Sequence, residues 1–135
     1  MIMTHEELMK AAENAMQLAY APYSNFKVGA ALLCGDGTVF TGCNVENASY
    51  GVTNCAERTA LFKAVSEGHT DFVAIAIVGG PDGVSAGPCY PCGICRQALA
   101  EFVKPDFEVC LKDDAGTVFV CKFNELLPNS FNLHN

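Results

Sequence analysis

Two short segments carry residue types suited to chemistry: Cys55-Ala56-Glu57-Arg58 and Pro91-Cys92-Gly93-Ile94-Cys95-Arg96-Gln97. Each reads as the first turn of a helix, and together they offer three thiols and one carboxyl to a common point. A structural zinc closes its shell with four protein ligands, whereas a catalytic zinc keeps three and leaves a position for water. Cys55, Cys92 and Cys95 supply three ligands. Glu57, two residues past Cys55, points away from the ligand direction and towards a zinc-bound water, where it would take and return a proton. The pattern therefore reads as a zinc hydrolase. A glutamate in a first helical turn is ordinary because it complements the helix dipole. Only its place beside Cys55 singles Glu57 out.

Helix N-termini favour thiolates, and a metal favours them further. Three thiolates on Zn2+ leave an excess negative charge, which Arg58 and Arg96 are placed to offset through hydrogen bonds to sulfur, an ordinary helix-surface position being the alternative for each. Cys89 extends the second segment to Cys-x-x-Cys-x-x-Cys. This keeps a closed four-thiolate site, an iron–sulfur cluster and a thiol redox pair open as alternatives. Pro91 is expected to hold Cys89 ahead of the helix and out of register with the pair. Cys34, Cys43, Cys110 and Cys121 fall in or beside strands and read as small packing residues. None of His5, His69 and His134 has ligand-like spacing; each reads as surface or tail.

The elements that must position these groups follow from pattern and punctuation. Thr4 and Glu7 have the spacing of a capping box, and Leu8, Ala12, Ala15, Met16 and Ala19 recur at helical spacing, so a helix is expected over about residues 4–20, stopped by Pro22. Lys27–Cys34 and Thr38–Asn44 read as strands joined by an Asp36-Gly37 hairpin. Val45–Asn54 is polar and irregular. Cys55–Glu67 reads as a helix capped by Gly68, and Phe72–Val78 as a strand buried on both faces. Gly79–Tyr90 reads as loop, Cys92–Val103 as a helix ended before Pro105, and Phe107–Leu111 with Thr117–Lys122 as a second hairpin. A turn at Asn124–Leu127 follows. The alternation predicts an α/β fold, one mixed sheet covered by helices. Gly37-Thr38-Val39-Phe40 reappears as Gly116-Thr117-Val118-Phe119, which reads as shared turn chemistry.

The chain of 135 residues is read as one domain, residues 1–135. Charged residues make up 17%, below the usual quarter or so, which suggests surface covered by other subunits. The net charge of −7 repels phosphate backbones and argues against a nucleic-acid partner. Residues 1–20 show no apolar signal core, and no run reaches membrane-spanning length. A cytoplasmic protein with reduced thiols, rather than a disulfide framework, is the expectation.

Cys-Ala-Glu-Arg-Thr-Ala at 55–60 and Pro-Cys-Gly-x-Cys-Arg-Gln at 91–97 closely resemble the small cytidine deaminases. The likeness extends through Ala-Pro-Tyr-Ser-Asn-Phe-Lys-Val-Gly-Ala at 21–30, Gly-Cys-Asn-Val-Glu-Asn-Ala at 42–48 and Glu-Leu-Leu-Pro at 125–128. It implies a three-layer domain, with helices on both faces of a mixed five-stranded sheet. It also implies hydrolytic deamination of cytidine and deoxycytidine to uridine and deoxyuridine, as in pyrimidine salvage, with one Zn2+ per chain. By the same resemblance, Cys55, Cys92 and Cys95 hold the zinc, and Glu57 moves protons to N3 and the departing amine. Phe26 packs against the base, the Ala56 backbone meets its edge, and Asn44 and Glu46 bind the ribose. Tyr50 and Phe131 match positions that enter a neighbouring subunit's site, which implies a homotetramer with shared active sites and a free nucleoside as substrate. Tyr90 stands where relatives often have a small residue; its carbonyl is the expected contact with the substrate amine. A deaminase of the same fold acting on another aminopyrimidine would not need the Asn44–Glu46 pair.

Overall fold

Thr4 and Glu7 form the capping box that their spacing predicts: Thr4 Oγ1 accepts from Glu7 N–H at 3.1 Å, and Glu7 Oε1 accepts from Thr4 N–H at 2.8 Å. They open helix α1, His5–Met16, in this computed structural model, which describes residues 3–133. His134 lies outside the described residues. The helix stops short of residue 20. Tyr20 instead donates its N–H to the Asn44 carbonyl and accepts from Glu46 N–H at 2.8 Å, so a tertiary bridge takes the backbone groups that another helical turn would have used.

Five strands follow: β1 (Phe26–Cys34), β2 (Val39–Cys43), β3 (Phe72–Pro81), β4 (Glu108–Lys112) and β5 (Val118–Lys122), in the order β2-β1-β3-β4-β5. β1 is antiparallel to both β2 and β3, β3 is parallel to β4, and β4 is antiparallel to β5, so the sheet is mixed as expected. β3 runs three residues past Val78, because Gly79, Gly80 and Pro81 pair with Val28, Lys27 and Phe26 of the long first strand. Pairing with an existing neighbour outweighs glycine's weak strand preference. The two repeated turns share one chemistry: Asp36 Oδ1 accepts from Thr38 N–H and Asp113 Oδ1 from Thr117 N–H, with Gly37 and Gly116 at positive φ.

Helix α2 (Ala56–Ser66) follows β2 and α3 (Gly93–Ala100) follows β3. α3 ends three residues before the expected Val103. The short α4 (Phe123–Leu126) replaces the expected turn. It is anchored by Phe123 N–H to the Phe107 carbonyl at 2.8 Å and by edge-on packing of Phe123 against Phe107.

Strand alternation sorts the core into two layers. Ala31, Leu33, Ala74, Ala76 and Val78 face α1, where Leu8, Met9, Ala12 and Met16 cover them. Leu32, Ile75, Ile77, Val109 and Leu111 face the other way and pack with Ala60, Leu61 and Leu99 of α2 and α3. Ile75 and Ile77 are fully buried, each worth about 1.5–3 kcal/mol over an exposed position. His5 pairs with Glu108, and His69 sits against the Phe40 ring beside Asp36. Among the described residues, no helix is long and apolar enough to cross a membrane.

The strands that lead into α2 and α3 are not neighbours. Both run antiparallel to the β1 between them, so they share a direction, and both helices begin at one sheet edge. α2 reaches that edge by resting on a glycine. A Cβ at Gly42 would stand 2.5 Å from both the Ala56 carbonyl oxygen and the Ala60 nitrogen, which are backbone atoms of the turn that carries Glu57. Gly42→Ala is expected to push this turn off the sheet and cost about 1–3 kcal/mol of overpacking, read as a lowered urea midpoint. An unchanged midpoint would mean that α2 slides freely on β2.

Candidate metal centre and active site

The N-cap of a helix is normally a small polar side chain bonded to the first turn. Here both N-caps at this edge are cysteines, Cys55 on α2 and Cys92 on α3, and neither makes a side-chain cap bond. Their sulfurs are therefore left for other partners. Cys95, one turn into α3 and buried, completes a group of three thiols whose sulfurs all lie within 4.8 Å of one another. The Cys55–Cys92 and Cys92–Cys95 sulfur separations are 3.7 and 3.4 Å. Thiolates held tetrahedrally at about 2.3 Å from zinc lie about 3.8 Å apart, so the donor set fits that ion with little adjustment. All eight cysteines are free, and no disulfide framework exists.

Second contacts hold the first cap in place. Asn54 Nδ2 donates to Thr59 Oγ1 at 3.0 Å, and Thr59 Oγ1 donates to the Cys55 carbonyl at 3.1 Å. The sequence reading did not single out Asn54 or Thr59; their signal was polar residues flanking an uncapped cysteine. Arg58 Nη2 donates to Cys55 Sγ at 3.5 Å. The neighbouring Cys95 thiol and the Arg58 guanidinium hold the Cys55 thiol below its ordinary range, while Cys55 and burial push Cys95 up. Thiols this close cannot all ionise without a cation between them, which is the condition a divalent metal meets.

Arg96 does not do what the sequence suggested. Its Nε donates to the Pro91 carbonyl at 2.7 Å and its Nη1 to the Leu126 carbonyl at 2.6 Å. Its fork is thus directed to backbone oxygens. Cys89 lies outside the three-thiol group. Burial, with Glu57 and Cys55 nearby, pushes its thiol up to about 12.

Glu57 is 4% exposed. Burial raises its carboxyl from 4.5 to about 7, with the Cys55 charge adding to the rise. An acid poised near neutrality beside a metal-binding group is suited to both taking and giving a proton.

Cys55, Cys92 and Glu57 open into a cavity of about 170 Å³, whose walls include Val28, Asn44, Ala56, Cys89 and Tyr90. Thr53 also borders a second cavity of about 380 Å³ holding Glu46 and Tyr50. Asn44 is buried, and its amide is committed to β1: Oδ1 accepts from Val28 N–H and Nδ2 donates to the Phe26 carbonyl, both at 2.8 Å. Glu46 accepts from the N–H groups of Tyr23 and Ser24 and from the Ser24 hydroxyl, which holds its carboxyl below the ordinary range. Phe26 is partly exposed and stands against Gly79 beside Val28 and Cys89. Tyr50 and Phe131 are 80% and 70% exposed. Phe131 lies on the last segment, where its carbonyl accepts from Gln97 Nε2. The thiols, Glu57, Asn44 and Ala56 are brought together in this one chain; Phe131 is not among them.

Residues 2–111 match the family model for the cytidine and deoxycytidylate deaminase zinc-binding region. A cytidine deaminase of Halalkalibacterium halodurans is 52% identical over 129 residues, covering 96% of this chain and 95% of the relative. The crystal structure of a cytidine deaminase from Burkholderia pseudomallei superposes with a TM-score of 0.87 at 56% identity, covering 96% of this chain and all of the other. That of the Mycobacterium tuberculosis cytidine deaminase gives 0.82 at 39% identity, covering 97% and 99%. With three zinc-spaced thiols and a buried carboxyl at one sheet edge, the chain belongs to the zinc-binding cytidine and deoxycytidylate deaminase family.

Proposed function

We propose that this protein hydrolyses the amino group of cytidine and deoxycytidine, releasing ammonia and the uridine product. The observation that carries the reading is the buried Glu57 carboxyl beside the three-thiol group. Cys55, Cys92 and Cys95 would hold a zinc ion, which would supply the Lewis acidity that lets a water attack C4 of the base. Glu57 accepts a first proton from that water and gives it to N3, then takes the proton of the new C4 hydroxyl and gives it to the departing amine, so its poise near neutrality serves both transfers. Arg58 offsets the thiolate charge. The Ala56 backbone meets the base edge, and Phe26 packs on the ring. Asn44 uses its remaining amide proton, and Glu46 its remaining oxygen lone pairs, on the ribose hydroxyls. Burying such a pair penalises substrates that lack the hydroxyl, because the polar groups are then left unpaired.

The substrate is a free nucleoside, the chain acts as one domain over 1–135, and neither nucleic acid nor membrane is a partner. The cavity around the thiols, about 170 Å³, is small against the 300–1,000 Å³ usual for small-molecule sites. Exposed Tyr50 and Phe131 suit completion of that site by a second copy, in a cytoplasmic homotetramer with shared active sites.

Loss of cytidine absorbance on mixing, abolished by a zinc chelator, tests the activity. Glu57→Gln is expected to keep zinc and fold while turnover falls ~10²–10⁴-fold; undiminished turnover would sink the mechanism. Metal analysis of Cys89→Ala is expected to find about one zinc per chain, as in the wild type, and loss of the metal would make the site a closed one. Sedimentation is expected at roughly four times the 14.4 kDa chain mass. A fully active monomer would overturn the shared site.

A further inference from the structure

Arg96 follows Cys95 directly, yet it turns away from the sulfurs. Its two short bonds reach carbonyls on separate parts of the chain: Pro91, which immediately precedes Cys92, and Leu126, the last residue of α4. A carbonyl at the end of a helix has no acceptor role within that helix, so Leu126 has its oxygen free for an outside donor. The planar guanidinium presents its donors in a fixed fork, which sets the distance and angle between two acceptors in a way an ammonium does not. α4 is in turn fixed to the far end of the fold through Phe107 and Pro105, which accept from Phe123 and Asn124 N–H.

We propose that Arg96 is a positioning residue for the metal centre: it brackets the Tyr90-Pro91-Cys92 segment to α4, so that the C-terminal segment is part of what holds Cys92 in place. The bracket gives Cys92 a restraint that its own position lacks. Cys92 is exposed and its sulfur makes no cap bond, so α3 holds it only through its carbonyl, which accepts from Arg96 N–H at 2.9 Å. Cys55, by contrast, is held by Thr59 and Arg58. The two arginines thus divide the work. Arg58 serves a sulfur, and Arg96 serves the peptide that presents another. The inference rests on the reading of Cys55, Cys92 and Cys95 as the zinc ligands, and its readout is zinc affinity, not turnover.

Zinc-loaded wild type, Arg96→Met, Arg96→Lys and Lys112→Met are titrated with a chromophoric chelator. Lys112→Met breaks the Lys112–Glu13 ion pair at 2.5 Å, on the α1 side of the sheet, and controls for general loss of stability. Arg96→Met is expected to hold zinc about 10–100-fold more weakly. Arg96→Lys should fall between it and wild type, since one ammonium restores part of the bracket, and Lys112→Met should match wild type. Wild-type affinity in Arg96→Met overturns the inference, as does equal weakening in Lys112→Met. If Arg96→Met fails to fold, Arg96→Lys decides, and wild-type affinity there overturns it too. A wild-type protein that takes up no zinc overturns the zinc reading itself.

Discussion

Three sulfurs from two helix starts must meet within one coordination radius, and the rest of the fold serves that requirement. Helix N-termini make it feasible, because their dipoles favour thiolate over thiol. They also make it demanding, because each helix must be delivered to the same edge of the sheet. β2 and β3 share a direction only because β1 runs against both. The long β1, the paired glycines at the end of β3 and the close approach at Gly42 are therefore conditions of the metal centre.

Electrostatics at this edge are layered. The thiols need a cation and the donor set suits zinc. Arg58 tempers the negative charge on one sulfur, and burial keeps Glu57 protonatable near neutrality. Cys89 shares the cavity, and burial there disfavours its thiolate as it disfavours the Glu57 carboxylate. Two cysteines three residues apart thus take opposite roles: Cys92 is exposed at a helix N-cap and Cys89 is largely enclosed.

Much of this was legible from residues alone. The capping box at Thr4–Glu7, the two aspartate–glycine hairpins, the doubly buried β3 and the three-thiol group with its carboxyl all rest on local spacing, and all appear as expected. Element ends were read less well. α1 stops early and β3 runs on because partners distant in sequence take or supply the terminal backbone bonds, whereas α3 ends in a local turn in which Phe102 and Val103 N–H both donate to the Leu99 carbonyl. Arg96 departs from the sulfur-directed expectation for a related reason. Proximity to Cys95 in sequence suggested sulfur, while its actual acceptors lie five residues before it and thirty after.

By itself the sequence determined which side chains could do chemistry: three thiols suited to a metal, a carboxyl beside them, and the residues that start the helices carrying them. These are short-range facts, set by periodicity and by the few residue types that bind zinc. Only the tertiary structure decided which strands stand between the two helix starts, that Cys89 is left out of the thiol group, that Asn44 is committed to β1, and that the C-terminal segment is tied to Pro91. Each depends on contacts between residues far apart in the chain, where the loop-closure entropy is offset only once the whole sheet is in place, and no local pattern records that.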